Sequence, residues 1–340
     1  MRVFQVEDSW SMDNLRMNTR PDPMPGPGQV RMRVTASALN FRDLIIPGRG
    51  YGTRQQQLPL IALGDGCGVV DLVGEGVTRV KIGDRVCPIF IQSWPSGTPN
   101  RERLFLTLGC EIDGTMADYM VLPEDGVTPV PEHLDDIEGA SLPAASVTAW
   151  RALVTEGRIA AGNTVLVQGT GGVSIFALQF AKMLGAYAIV ISSSDEKLKR
   201  AREMGADETI NYLDVPEWGK RAREIAGGDG VDHVVEVGGQ ATMKQSLQAV
   251  RPGGTLSLIG VLSGHAMNVP LGPIVTWHIR LQGITVGSGD DFLNMSRAIT
   301  QHKMRPAISG IFEFEKLHDA LAFLKSGKHF GKVCIKHPEP

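Results

Sequence analysis

A glycine-rich turn between an apolar strand and an apolar helix is the segment of this chain best suited to chemistry. The run VLVQGTGGVSIFALQFAKMLGA places Gly169, Gly171 and Gly172 after the strand, with Val173 at the start of the helix. Glycines let the backbone approach a pyrophosphate closely, and the N–H groups at a helix N-terminus favour its charge. The turn predicts a dinucleotide site, although Ser174 replaces the third glycine of the strict G-x-G-x-x-G pattern. A turn that only packs helix on strand is the alternative.

The end of the next strand indicates which dinucleotide binds. An NAD enzyme normally has Asp or Glu there to accept from the ribose 2′-hydroxyl, whereas this chain has Ser192, Ser193 and Ser194. Serine hydroxyls and Lys197 could hold a 2′-phosphate, which an acid at that point would repel, so NADP(H) is favoured. Asp195 keeps NAD(H) open. The run SSSDEK is also typical of a helix cap, and the two roles can coexist.

The elements that must position these residues follow two different patterns. Up to about Pro131 the chain reads as short strands separated by turn signals, which predicts a mainly β half. Its expected strands are Val30 to Thr35, Gly68 to Val73, Arg85 to Ile91, Ala117 to Leu122 and Val127 to Val130. From about Ser146, apolar strands alternate with helical patterns, which predicts a parallel sheet with helices on both faces.

The alternating half predicts a six-stranded sheet. Five of its strands are expected at Val165 to Gln168, Ile189 to Ser192, Val231 to Gly238, Thr255 to Gly260 and Ile284 to Gly289. Helices are expected at Ile175 to Leu184, Glu196 to Met204, Met243 to Val250 and Phe292 to His302. The tail returns to β character at Ile311 to Phe314 and Val333 to Lys336, around a helix at Phe314 to Lys325.

The predicted fold class is therefore α/β, with a doubly wound parallel Rossmann sheet inserted into a discontinuous, mainly β domain. We expect the domains at residues 1–145, 146–288 and 289–340, the last of these rejoining the first. A chain of 340 residues with 42% hydrophobic residues can fill two cores.

Composition narrows the class of partner. The net charge of −3 comes from 34 basic and 37 acidic residues without long runs, so we expect a small-molecule partner and neither nucleic acid nor membrane. The chain has no apolar stretch of about 18 residues and no signal-peptide pattern, which predicts a cytoplasmic protein. Four isolated cysteines argue against a disulfide framework or a zinc knuckle: Cys67, Cys87, Cys110 and Cys334.

Almost the whole chain resembles the medium-chain dehydrogenase/reductase superfamily, and particularly its zinc-free, quinone-oxidoreductase-like branch. The motifs that carry the resemblance are LNFRD (39–43), LGDGCGVV (63–70), GEGVTRVKIGDRV (74–86), LPAASVTAWRAL (142–153), GTGGVS and GKVCIK. The resemblance implies a GroES-like catalytic domain, a Rossmann domain and a cleft between them for cofactor and substrate. It also implies a homodimer formed through the last Rossmann strand, here expected near Ile284 to Gly287. Only Phe90 to Asp113 has no clear counterpart.

The zinc sites of the alcohol dehydrogenase branch are the main departure. Its catalytic zinc needs two cysteines and a histidine with a neighbouring glutamate, and this chain has Asn40, Asp65, Gly66 and Ala144 at those places. One carboxylate cannot replace such a ligand set, and Cys110 stands alone where the structural zinc lobe has four cysteines. We therefore expect no zinc and activity that survives a chelator.

The resemblance also implies roles for single residues. Asn40 would lie near the nicotinamide ribose and the substrate, Asp43 would brace that loop, and Thr148 would lie beside the nicotinamide. Helix capping by Asn40 and Asp43, and satisfaction of a helix backbone by Thr148, are the structural alternatives. Further expected cofactor positions at the carboxyl ends of strands are Lys197, Tyr212, Gly260, Val261, Gly287 and Ser288. Candidates for the substrate pocket are Tyr51, Trp94 and His278.

The chemistry that fits this pattern is hydride transfer from NADPH to an electrophilic carbon of a quinone, enone or enal. Preorganised donors such as the Asn40 amide, Thr148 or the cofactor ribose would stabilise the charge that develops on the substrate oxygen. Two alternatives stay open: metal-free exchange between an alcohol and a ketone, and a cofactor-binding protein without turnover.

Overall fold

The structure is a computed structural model that describes residues 1–260, 262–264, 266 and 268–338. The chain divides into two compact units. Met1–Val147 and the residues from Val286 onward form the first unit, and Thr148–Thr285 form the second. In the described part of the chain, we find no helix long and apolar enough to cross a bilayer.

The amino-terminal segment of the first unit is mainly β. Its strands are β1 (Arg2–Val6), β2 (Leu15–Thr19), β3 (Gln29–Ala38), β4 (Leu60–Ile61), β5 (Asp65–Val73), β6 (Arg85–Pro88), β7 (Tyr119–Pro123) and β8 (Val127–Pro129), followed by helix α1 (Asp136–Ala140). Strand β3 alternates polar and apolar residues, so Val30, Met32 and Val34 point into one core cluster with Val70 and Leu122. Strands β2, β1 and β4 form a separate three-stranded sheet in that order.

The second unit is the expected Rossmann unit. Its helices are α2 (Val147–Trp150), α3 (Gly172–Met183), α4 (Asp195–Glu203), α5 (Trp218–Ile225), α6 (Gln240–Ala249) and α7 (Leu271–Thr276). Its strands are β9 (Thr164–Gln168), β10 (Tyr187–Ser192), β11 (Glu208–Asn211), β12 (Val231–Glu236), β13 (Val250–Leu258) and β14 (Arg280–Gly283). They form one parallel sheet in the order β11-β10-β9-β12-β13-β14, which confirms the doubly wound prediction.

The chain then returns to the first unit through α8 (Gly289–His302), β15 (Ile308–Glu313), α9 (Leu317–Lys325) and β16 (Lys332–Lys336). Strand β16 pairs antiparallel with β3, and β15 pairs parallel with β16. The large sheet of this unit therefore has the order β15-β16-β3-β5-β6-β8, with β7 also paired to β3. This pairing brings Lys332, at the start of β16, to the ends of β3 and β5.

The prediction for the sixth Rossmann strand is wrong in position. We expected Ile284 to Gly289, but the strand is β14, Arg280–Gly283, and Val286 in the expected strand has a φ of 47°, which is not a strand conformation. Strand β14 is an edge strand whose residues are exposed or half-buried, so it needs no apolar run. The apolar residues that follow it produced the stronger strand signal in the sequence.

The segment from Phe90 to Asp113 folds without long strands. Trp94 is 1% exposed and packs with Phe90, Ile91 and Ala144, and its indole N–H donates to the Gly97 carbonyl at 2.9 Å. The Glu111 carboxylate accepts from the Thr107 backbone N–H and hydroxyl and forms an ion pair with Arg54 at 2.8 Å. These bonds and the packing around Trp94 fix the conformation of the segment.

Candidate active site

The glycine turn of the second unit has the geometry that a pyrophosphate requires. Gly169 has a φ of 73°, a conformation that residues with a Cβ rarely adopt, and its N–H donates to the Ile191 carbonyl of β10. Gly171 is the N-cap of α3 and has no side chain to cover the first amides of the helix. The half-buried Gly172 and Val173 open the helix. The residues of this turn fit a dinucleotide.

Ser174 replaces the third glycine of the pattern without opening the structure. Its hydroxyl donates to the Gln168 carbonyl at 2.7 Å, and the side chain is 3% exposed. The small side chain thus bonds to the strand it packs on, which permits the close approach of helix and strand that glycine usually provides.

The corner after β10 forms the helix cap that SSSDEK favours. Ser194 caps α4 by accepting from the Lys197 backbone N–H, which confirms the helix cap, while Ser193 is exposed and Ser192 is buried. Asp195 Oδ1 accepts from the Asn211 side chain at 2.8 Å, which turns this acid toward the end of β11. Burial, together with the charge of neighbouring Arg200, lowers the pKa of Lys197. Tyr212 follows β11, is 38% exposed, and donates its backbone N–H to the Ser192 carbonyl.

A buried carboxylate at the end of β12 is a feature that our sequence analysis missed. Glu236 is fully buried, and its Oε1 accepts from the backbone N–H groups of Gly238 and Gly239 and from the Thr242 hydroxyl. Its Oε2 accepts from Gln168 Nε2 at 2.7 Å and from the Ser246 hydroxyl. The glutamate therefore fixes the loop at the carboxyl end of β12, the edge at which open α/β sheets bind ligands. An acid within VDHVVEVG, and Gln168 within an apolar strand, were the available signals.

Gly260 follows β13 at the same edge. A Cβ at this position would lie 1.9 Å from the Val237 carbonyl oxygen, so the close approach of these two loops requires glycine. Its expected neighbour in the cofactor site, Val261, lies outside the described residues.

The LNFRD motif of the first unit forms a compact turn. Asn40 precedes a short 3₁₀ helix, Phe41–Leu44, and its backbone N–H donates to Asp43 Oδ2 at 2.7 Å. Asp43 is 5% exposed and lies among the side chains of Ile46, Leu60 and Leu63. Burial in this apolar setting raises the pKa of Asp43 to about 6, against the lowering effect of Arg42 and the Asn40 N–H. The bracing role implied for Asp43 has a structural counterpart in this bond.

The Asn40 side chain belongs to a buried polar cluster with Asp65 and Lys332. Asn40 Nδ2 donates to Asp65 Oδ2 at 2.9 Å, and Lys332 Nζ donates to Asn40 Oδ1 at 2.8 Å and to Asp65 Oδ2 at 2.9 Å. The third bond of the ammonium goes to the Leu39 carbonyl at 2.8 Å. The Lys332 and Asp65 side chains are 2% and 0% exposed. Burial raises the pKa of Asp65, and Lys332, Asn40 and the Ala144 backbone oppose that rise.

This cluster does not fit a zinc ion. The positions that carry the ligands in the zinc branch supply one carboxylate, one amide and a methyl group, and a lysine ammonium already binds the carboxylate and the amide oxygen. Within the described residues, we find no group of three or more His, Cys, Asp or Glu side chains that could hold a metal ion. Three or four N, S or O ligands must converge for zinc.

Other candidate residues belong to other elements of the chain. Thr148 is buried in α2, in the second unit, whereas Asn40 and Asp43 belong to the first. Gly287 and Ser288 do not end a Rossmann strand as expected, and both belong to the first unit. The Ser288 hydroxyl accepts from the Asp291 backbone N–H and so caps α8. The Ser288 backbone N–H and hydroxyl both donate to Asp291 Oδ2, and these bonds are buried; the cofactor contact expected of Gly287 and Ser288 stays a prediction.

The three candidates for the substrate pocket differ in burial and in the element to which they belong. Tyr51 is 40% exposed and lies in the first unit near Arg42, whose guanidinium carbon is 5.5 Å from the tyrosine ring centroid. Trp94 is a core residue with a bonded indole N–H, as described above. His278 is exposed in the second unit and precedes β14, so it lies at the amino end of a parallel strand, opposite the edge that carries the cofactor turn. We retain only Tyr51.

Comparison with known proteins agrees with this arrangement. The alcohol dehydrogenase GroES-like domain model matches residues 26–132, and the zinc-binding dehydrogenase model matches residues 172–301. A zinc-type alcohol dehydrogenase-like protein from Schizosaccharomyces pombe is 39% identical over 91% of this chain and 91% of its own. An acryloyl-coenzyme A reductase from Sulfurisphaera tokodaii is 29% identical over 93% of this chain and 94% of its own.

Two solved structures extend the comparison. An NAD-dependent alcohol dehydrogenase has a TM-score of 0.90 at 31% identity and covers 99% of both chains. A mycobacterial protein in complex with NADPH has a TM-score of 0.82 at 26% identity, again over 99% of both chains. The chain belongs to the medium-chain dehydrogenase/reductase superfamily. It is an oxidoreductase that uses a nicotinamide cofactor and acts on a small molecule.

Proposed function

We propose that this protein is a zinc-independent, NADPH-dependent reductase that delivers hydride to a quinone, enone or enal. The nicotinamide cofactor supplies the hydride, and the turn at Gly169, Gly171 and Gly172 would hold its pyrophosphate. The observation that carries the proposal is the Lys332 ammonium, which lies within hydrogen-bond distance of Asn40 and Asp65. The ammonium would act on a substrate only through Asn40, because its three bonds go to Leu39, Asn40 and Asp65.

Asn40 is the residue that we propose to polarise the substrate. Its Nδ2 carries two hydrogens, and the contact with Asp65 uses one of them, which leaves the other for a substrate oxygen. The ammonium bound to Asn40 Oδ1 draws electron density from the amide and so strengthens Nδ2 as a donor. A donor held in this way costs little reorganisation when charge develops on the substrate oxygen.

Metal-free exchange between an alcohol and a ketone is the second candidate, because several relatives of this chain are named alcohol dehydrogenases. The two activities differ in the bond that is reduced. A panel of quinones, enones, enals and simple ketones with NADPH, and of simple alcohols with NADP+, followed by NADPH absorbance in buffer with EDTA, tests the proposal. We expect NADPH consumption with the conjugated substrates and an unchanged rate in EDTA. Activity only with simple ketones or alcohols, or activity lost with about one zinc per chain, would contradict it.

We propose that the corner after β10 selects NADPH, because a 2′-phosphate would match the partly desolvated Lys197 ammonium and the exposed Ser193 hydroxyl. Lys197→Ala is expected to weaken NADPH binding about tenfold to a hundredfold and to leave NADH nearly unchanged, from one charge-assisted contact of about 1.5–3 kcal/mol. Ser193→Asp should act in the same direction by repulsion. Fluorescence titration of both cofactors measures the effect.

Lys199→Ala is the matched control for this prediction. Lys199 is exposed on the same helix two residues further on, and therefore on another face of α4. Its loss should change neither affinity by more than about twofold. Equal affinity of the native protein for the two cofactors, or equal weakening of both by Lys197→Ala, would contradict the assignment of NADPH selection to this corner.

We also propose a homodimer, formed at the free edge of β14 rather than at Ile284 to Gly287. Among the described residues, strand β14 pairs only with β13, and the adjacent helix α7 exposes Leu271 at 70% and Val275 at 69%. These two residues are four positions apart and so share one helix face. An open edge beside exposed apolar side chains is the arrangement that a second copy covers.

Light scattering at micromolar concentration should therefore give about twice the 36.7 kDa mass of the chain. Val275→Glu is expected to shift the protein toward the monomer, because a charge would be buried at the contact. Leu213→Glu, at a residue 66% exposed near β11, should leave the dimer intact. A native monomer at this concentration would contradict the proposal.

A further inference from the structure

The guanidinium of Arg42 is held at an unusual place in the LNFRD turn. Arg42 is half-buried, and its guanidinium carbon lies 4.7 Å from the ring centroid of Phe90 and 5.5 Å from that of Tyr51. Two aromatic rings fix the position of a cation without neutralising its charge. The buried Nε of this side chain has no hydrogen-bond partner among the described residues. A buried donor of this kind is costly unless a ligand binds it.

Among the described residues, Arg42 forms no ion pair: its charge acts on Asp43 and lowers the pKa of that carboxyl, but the carboxylates of this neighbourhood form their hydrogen bonds with other groups. Glu111, which adjoins Cys110 in the same neighbourhood, forms its ion pair with Arg54 and accepts from Thr107. Asp43 accepts the Asn40 backbone N–H through Oδ2 at 2.7 Å. Arg42 therefore keeps its charge, two residues from the amide that we assign to the substrate oxygen.

We propose that Arg42 binds a carboxylate on the substrate, so that the preferred substrate is a conjugated carbonyl compound that also carries an acid group. This inference rests on the proposed function and narrows it. A planar guanidinium pairs with a carboxylate through two parallel N–H donors, which a lysine could not match. The aromatic rings of Phe90 and Tyr51 hold the guanidinium in place, and Asn40 remains available for the carbonyl that accepts charge.

The test compares 4-oxopent-2-enoate with its methyl ester, and each variant is scored by its acid-to-ester ratio relative to the native protein, because esterification also changes the reactivity of the conjugated double bond. Arg42→Met keeps the apolar stem of the side chain and removes the charge. We expect kcat/KM for the acid to fall about tenfold to a hundredfold through KM, while the ester changes by less than about threefold. Arg49→Met is the matched control, because this neighbouring arginine also contacts an aromatic ring, Trp10, at 6.0 Å. It should leave both substrates unchanged.

Binding without turnover separates this inference from the proposed function. The native protein should bind 4-oxopent-2-enoate in calorimetry more tightly than the ester, and Arg42→Met should lose that difference even if no member of the panel consumes NADPH. An equal loss for acid and ester would mean a structural role and would overturn the inference, as would no change for either. A fall in NADPH affinity with an unchanged acid-to-ester ratio would assign the guanidinium to a cofactor phosphate and would also overturn it.

Discussion

Lys332→Met is expected to lower the free energy of unfolding by about 3–5 kcal/mol, because it leaves the fully buried Asp65 carboxylate without its cation. The same change removes the ammonium that positions and polarises Asn40, so kcat should fall at least about tenfold in the protein that remains folded. Urea unfolding, and initial rates at saturating NADPH, measure the two effects.

Two variants isolate the cause of this effect. Lys332→Met combined with Asp65→Asn removes both charges, so most of the stability should return, since the cost arises from one uncompensated charge. Its kcat should stay low, because the ammonium on Asn40 Oδ1 is still missing. Lys336→Met, at the exposed end of the same strand, should change the stability by less than about 0.5 kcal/mol. A single Lys332 variant as stable as the native protein would contradict the account of this cluster.

Glu236→Leu is expected to destabilise the second unit by about 3–5 kcal/mol and to weaken both nicotinamide cofactors. The substitution leaves the N–H groups of Gly238 and Gly239, and the Thr242 hydroxyl, without their acceptor in a buried place. The loop after β12 would then no longer be held at the carboxyl edge of the sheet. Thermal unfolding and cofactor titration test this prediction.

The bond between Gln168 and Glu236 provides a rescue experiment. Glu236→Gln alone places two amide groups against each other and should give an intermediate loss. The exchange Glu236→Gln with Gln168→Glu restores one carboxylate and one amide across the same contact, so stability and affinity should recover most of that loss. An exchange variant no better than Glu236→Gln would show that the contact itself contributes little.

The sequence predicted the Rossmann sheet well because its central strands are buried on both faces. Strands that are buried on both faces need apolar runs such as VLVQ and VDHVVE. Helical segments separate these runs, so the strands and their order along the chain can be recognised from the sequence alone. Strand β14 is exposed at an edge and contains Arg280 and Gln282, so that signal failed there. Only the pairing of β14 with β13 in the structure shows which residues form this edge strand.

The site could be predicted only where its residues are close in the sequence. The glycine turn, the SSSDEK corner and the LNFRD turn are local, and each forms the turn or cap that its residues favour. The cluster of Asn40, Asp65 and Lys332 joins residues up to 292 positions apart, and only the pairing of β16 with β3 brings them together. GKVCIK contributed to the resemblance, yet nothing in the sequence indicated which residue Lys332, its first lysine, would pair with.

The fate of the hydride is the most direct test of the proposed reaction. The measurement is the product spectrum by NMR after reduction of an enone with NADPH that carries deuterium at the transferring position, in buffer with EDTA. We expect deuterium on the β-carbon and an intact carbonyl group, at the same rate as without EDTA. Deuterium on the carbinol carbon of an alcohol product, or a product that forms only without EDTA, would contradict it.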